Sequence, residues 1–170
     1  MNLKKIFSKS SGFTLIELLA VVAVITVLAG TLMVLINPFG QFQRTRDGQR
    51  KSDLAQLQRA MEQYYNDFGE YPPKTNTYNI TDRNNNDLSW GKNWNPYLSV
   101  IPKDPSSAYK YIYSPASDKQ SYRIYAHLEK TTDSQACNQN NQDCANVPAA
   151  NLCGTSISCN YGVSSSNVSP

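Results

Sequence analysis

From Phe13 to Ile36 the chain is apolar, with only small or hydroxyl residues interspersed and one charge, Glu17. At about 1.5 Å per residue, a helix over 13–36 would be roughly 36 Å long, enough to cross the hydrocarbon of a bilayer. A short polar stretch with Lys4, Lys5 and Lys9 comes before it and ends at Gly12. A secretory signal peptide has its apolar part ahead of a small-residue cleavage site, and here that order is reversed. Ala20, Ala23, Val27, Gly30 and Thr31 fall near one stripe of the predicted helix. Such a stripe suits close approach of membrane helices, or it is the ordinary composition of a spanning helix.

Asn37-Pro38-Phe39-Gly40 interrupts the run, and Gly48 weakens the next turn. Proline removes a helix hydrogen bond and glycine adds backbone freedom. The helical pattern resumes by Lys51: Leu54, Leu57, Met61, Tyr64 and Phe68 recur at three- and four-residue intervals. Asp53, Gln56, Arg59, Glu62 and Gln63 fall on the other faces. This predicts an amphipathic helix that packs its stripe on a core and ends at a Gly69 cap before Tyr71-Pro72-Pro73.

Residues 74–108 read as a long surface loop with one short helical turn near Leu98. Tyr109, Tyr111 and Tyr113 then alternate with Lys110 and Ile112. After a turn at 114–120, Tyr122, Ile124, Ala126 and Leu128 alternate with Arg123, Tyr125, His127 and Glu129. That is a β-hairpin pattern whose apolar face covers the helix stripe. The tyrosines alternatively form an exposed binding strip. Residues 131–170 are polar and weakly patterned, a region that cannot bury much apolar surface and that crosslinks would order. The division is therefore 1–12 as a leader, 13–36 as a membrane helix, 37–71 as break plus amphipathic helix, and 72–170 as a globular head.

The formal charge is +3, and the three leader lysines account for it. A formally neutral remainder argues against a nucleic-acid binder with a broad basic face, and no nucleic-acid partner is expected. Orientation in the membrane does not follow from charge, because Arg44, Arg46, Arg50 and Lys51 follow the run within range of the positive-inside rule and nearly cancel the leader lysines that precede it.

Four cysteines, Cys137, Cys144, Cys153 and Cys159, all lie in the last region. The even number suggests disulfides in an oxidising compartment. The spacing lacks the close Cys pairs of zinc sites, so no metal is expected there. Four cysteines allow three pairings. Neighbour pairing, Cys137–Cys144 and Cys153–Cys159, is the simplest, since each closes a short loop where core is scarce.

Catalytic chemistry finds little support. His127 is the one histidine and stands without a base-plus-nucleophile arrangement, as a surface strand residue. Phosphate-binding glycine loops are absent. Asp82-x-Asn84-x-Asn86 has alternating oxygen ligands, but Asp87 and Asn93 stand where a calcium loop wants Gly and Glu, so an Asx-rich turn is the default. No cofactor is expected. Glu17 has no opposite charge nearby in the chain; it either snorkels to the interface or serves a function.

Gly12-Phe13-Thr14-Leu15-Ile16-Glu17-Leu18-Leu19 resembles the processing site of type IV prepilins and type II secretion pseudopilins. Tyr64-Tyr65-Asn66-Asp67-Phe68-Gly69-Glu70-Tyr71-Pro72 is similar to the helix end of major pseudopilins, and Ile101-Pro102-Lys103-Asp104-Pro105 resembles the family element leading into the sheet. The resemblance implies an α+β, type IV pilin-like fold: a long N-terminal helix, half in the membrane, packed at its far half on a small antiparallel sheet. It implies cleavage after Gly12 by a prepilin peptidase, methylation of the new amino terminus at Phe13, and a docking role for Glu17. A freed Phe13 amine on one subunit would offset the buried carboxylate of another. Implied partners are the peptidase, other pilin or pseudopilin subunits, and an inner-membrane assembly platform. The leader would be cytoplasmic and the head on the export side. The expected function is structural, that of a pseudopilin and not an enzyme. The alternatives are a pilus or DNA-uptake pilin, and a membrane-anchored binding module.

Overall fold

The structure is a computed structural model that describes residues 12–137 and 142–170. The basic leader with Lys4, Lys5 and Lys9 lies outside the described residues. The chain divides into two units, one up to Phe39 and one from Gly40 onward.

In the first unit, helix α1 (Leu15–Ile36) contains the apolar run. Its first eighteen residues are apolar enough to cross a membrane, and among the described residues it is the one such helix. Asn37 ends it in the left-handed conformation, φ 44° and ψ 70°. Asparagine tolerates that conformation better than most residues.

The expected long interruption is not there. Helix α2 (Pro38–Phe68) begins at the proline itself and includes Gly40 and Gly48. Proline costs nothing at the first helical position, where its missing N–H has no acceptor to lose. One left-handed residue is therefore the whole break. At the far end, Gly69 turns left-handed at φ 71°, and its N–H reaches Tyr65 O at 2.7 Å.

In the second unit, α2 buries Leu54, Leu57, Ala60, Met61 and Tyr64. The stripe extends further down than apolar residues alone would show, because Asp47, Arg50 and Asp53 are buried on it too. Asp53 thus belongs to the core face and not to a solvent face. Phe68 is the opposite correction: it is 37% exposed. Its ring lies 4.6 Å from that of Tyr64 and is covered by the Arg83 guanidinium at 4.5 Å.

A three-stranded antiparallel sheet lies on α2, made of β3 (Ile112–Pro115), β4 (Tyr122–Ala126) and β5 (Tyr161–Ser164) in that order. Ile112 pairs with Tyr125, and Ile124 with Val163. Period-two alternation sends the two faces to different cores. Tyr111, Tyr113, Tyr122, Ile124 and Ala126 join the helix residues in one cluster. Ile112 and Tyr125 join Cys144, Cys153 and Cys159 in a second. Tyr111, Tyr113, Tyr122 and Tyr125 are buried and Tyr109 is half-buried, so the tyrosines form no exposed strip. Each large side chain so buried contributes about 1.5–3 kcal/mol.

Two regions read as loops contribute to these cores. Residues 74–108 hold a small hairpin, β1 (Ile80–Thr81) with β2 (Asp87–Leu88). Ile80, Trp94 and Ile101 from this stretch are buried in the main cluster. Trp94 and Leu98 pair as an isolated bridge, and no helical turn forms near Leu98. The last forty residues supply the edge strand β5 as well as the second cluster. Gly162 lies so close beneath Tyr125 that a Cβ there would come within 2.8 Å of the ring. Beyond β4 the pairing continues through a side chain: Asn160, fully buried, accepts from Leu128 N at 2.7 Å and donates to Leu128 O at 3.0 Å.

The cysteines are joined as Cys137–Cys144 and Cys153–Cys159. His127 is buried, contrary to its surface reading, with Nδ1 2.8 Å from Ser158 O. Its backbone continues the β4 course, so burial by the C-terminal segment follows from β5 pairing alongside.

Candidate processing and assembly site

The site residues implied by the sequence begin where helix α1 begins. Thr14 is the N-cap, in extended conformation, and Glu17 is the third helical residue. Thr14 N–H and Thr14 Oγ1–H both donate to Glu17 Oε2, each at 2.8 Å. Glu17 N–H returns to Thr14 Oγ1 at 3.3 Å. This is a capping box, which satisfies donors at a helix start that otherwise have none. A carboxylate in the first turn also meets the positive end of the helix dipole. Glu17 therefore does have a partner in its own chain, though a neutral one. The pattern Thr14-x-x-Glu17 was a legible signal for it in the sequence.

Phe13 is 88% exposed and precedes the cap. The capping box uses the peptide nitrogen of Thr14 and not that of Phe13. Hydrolysis of the Gly12–Phe13 bond would create an ammonium at Phe13 and leave the box intact. Leu15, Leu18, Leu19, Val22 and Ala23 line a shallow apolar depression of about 430 Å³ along the helix beside Glu17.

The cysteines and the Asp82 turn are not part of this site. Asp82 Oδ1 accepts from Asn84 N at 2.9 Å and Asn86 N at 2.8 Å, and Oδ2 from Asn86 Nδ2 at 2.8 Å. Its lone pairs are used in an Asx turn, and those donors hold its carboxyl below the usual range. Among the described residues no cluster of metal-binding side chains occurs.

The basic residues after the membrane helix have partners that sequence reasoning missed. Arg50 is fully buried. Its Nε and Nη2 grip Asp104 at 2.8 and 2.9 Å, its Nη1 meets Asp47 at 2.7 Å, and Nη2 reaches Glu129 at 2.9 Å. Arg46 also binds Glu129, with Nε to Oε1 at 2.7 Å, and Lys51 binds Asp133 at 2.8 Å. Asp47 in turn accepts the backbone N–H groups of Glu129 and Lys130, each at 2.9 Å. Burial works against the Arg50 charge, and the Asp104 hydrogen bond and charge overcome it, so its pKa is raised. Arg46, with Arg50 beside it, holds the Glu129 carboxyl below the usual range. Burial alone would raise Asp133, and the Lys51 hydrogen bond brings it below its usual value. This network ties the start of α2 to the loop before β3 and to the segment after β4. Three of the four nearby cations are thereby neutralised within the fold.

Comparison with known families finds two matches. Residues 37–146 match the family described as type II secretion system (T2SS), protein G. Residues 7–33 match the prokaryotic N-terminal methylation motif. No curated protein and no solved structure matches the chain significantly.

Proposed function

The chain belongs to the protein G family of type II secretion systems, and from that premise we propose that it is the repeating structural subunit of a short pilin-like filament serving protein export. A prepilin peptidase cleaves between Gly12 and Phe13 and methylates the freed Phe13 amine. Helix α1 sits in the inner membrane with the leader on the cytoplasmic side, and the head is exported. On assembly, the Glu17 carboxylate of one subunit meets the Phe13 ammonium of another, while the apolar helices pack together. The subunit carries out no catalytic step of its own.

One observation carries this reading: a helix start at which a single carboxylate follows Gly12 by five residues, within a helix whose large apolar side chains from Leu15 to Leu32 are exposed. An ion pair moved out of water is favourable only when both charges are present and well placed. Uncleaved subunits lack the amine, so cleavage licenses assembly. The disulfides support an oxidising, export-side head, and the neutralised arginine cluster supports a head without a broad basic face.

The test is deletion of the gene with exported protein, surface filaments and DNA uptake measured together. Loss of secretion with surface filaments and DNA uptake preserved is the expected result, since the short filament built from this subunit is distinct from the surface filaments. Loss of uptake alone would transfer the subunit to a DNA-uptake pilus.

A further inference from the structure

Beside the Arg50 network lies a cavity of about 340 Å³ walled by Trp90, Lys103, Asp104, Ser107, Tyr109 and Lys110. Its electrostatics are set by pairing. Asp104 is the acid in the wall, yet its side chain is only 1% exposed and both its oxygens are held by Arg50. Its remaining capacity goes to Ser106 N at 2.8 Å. Lys103 and Lys110 are exposed and have no ion pair or side-chain hydrogen bond among the described residues. The Ser107 hydroxyl is likewise uncommitted. The Trp90 ring lines the cavity, and its buried indole N–H has no acceptor among the described residues. Two free ammonium groups and a hydroxyl, beside the ring of Trp90, thus surround one concavity whose carboxylate is already neutralised.

We propose that this cavity is an oxyanion-binding site that takes a phosphoryl or carboxylate group between Lys103 and Lys110. Two solvent-facing lysines give modest affinity, roughly millimolar at low salt, that weakens as salt screens the charges. A filament would repeat the site once per subunit, so a polyanionic partner would gain by multivalency. The site does not depend on the secretion role.

The experiment uses the full-length protein in a non-ionic detergent, at constant ionic strength, with intrinsic tryptophan fluorescence as readout. Trp90 lines the cavity, whereas Trp94 is in the core. Inorganic phosphate and tetraglutamate are titrated separately. A saturable change is expected that is absent in Trp90→Phe and at least about tenfold weaker in Lys103→Gln/Lys110→Gln. Saturation with phosphate alone assigns a phosphoryl ligand, with tetraglutamate alone a carboxylate ligand, and with both the shared chemistry. No saturation with either probe, or identical curves for the wild type and the lysine variant, overturns the proposal.

Discussion

Arg50 and Asp104 form a two-point clamp, Nε to Oδ2 at 2.8 Å and Nη2 to Oδ1 at 2.9 Å, between residues fifty-four positions apart and both buried. Removing one partner of such a pair strands the other charge in the interior. Asp104→Asn should lower the unfolding free energy by about 3 kcal/mol. Arg50→Met should cost more, since it strands Asp47, Asp104 and Glu129 together. Urea denaturation of the detergent-solubilised protein checks both, and Arg44→Met, an exposed neighbour, should change stability little.

Stability should fall on acidification. Glu129 and Asp133 have lowered pKa values in the fold, so each adds stability above its unfolded value, about 4. That stability is lost as pH drops through the folded values. Asp53 has the opposite sign: burial raises its pKa, partly offset by the Tyr111 hydroxyl at 2.7 Å, so its contribution weakens as pH rises. Thermal melting from neutral pH to about pH 3 should show the fall. The Glu129→Gln variant should be less stable at neutral pH and show a shallower slope.

The two disulfides should differ in consequence. Cys153 and Cys159 are fully buried in the cluster with Ile112 and Tyr125, whereas Cys137 is exposed. Each short crosslink contributes about 2–3 kcal/mol. Cys153→Ala/Cys159→Ala should cost more than Cys137→Ala/Cys144→Ala, because it removes two buried sulfurs from the second cluster where the other pair removes only that of Cys144. Denaturation of the two double variants measures the difference.

Processing should leave a chain that starts at Phe13 and carries one added methyl. Intact-mass analysis of the membrane-extracted protein checks this. A Gly12→Leu variant should keep its leader and the unmethylated mass. Thr14 and Glu17 keep their hydrogen bonds in either form, because the box lies beyond the cut.

How much of this was legible follows residue type. Leu54, Leu57, Met61 and Tyr64 announced the α2 core face by periodicity alone. Arg50 and Asp53 sit on the same face, but as charges they read as solvent-facing; their partners Asp104, Glu129 and Tyr111 are brought in only by the tertiary fold. Tyr111 to Ala126 alternated clearly enough to give β3 and β4. Strand β5, Tyr-Gly-Val-Ser, is too short and too weakly apolar to show itself, and it forms because β4 offers an edge. Ile80, Trp94 and Ile101 were single apolar residues in polar surroundings, without a period to mark them. By residue type Pro38 is a breaker, but its position at the helix start makes it an initiator. At the proposed processing site, Gly12, Phe13 and Glu17 stand out by pattern; Thr14 also fits the capping pattern with Glu17, a neutral partner that charge alone does not reveal.

The proposed docking role of Glu17 goes beyond starting the helix. Glu17→Ala removes both the capping carboxylate and the proposed docking charge, and Glu17→Gln keeps a capping side chain while removing the charge. Filament yield from cells expressing each variant, normalised to the processed, membrane-inserted subunit, is the most direct measurement. Removing a charge from the apolar run eases insertion, so both variants should be inserted at wild-type level. Both variants, Gln included, should lose the short filament at least about tenfold. Wild-type filament yield from Glu17→Gln would contradict the docking role and reduce Glu17 to a helix cap.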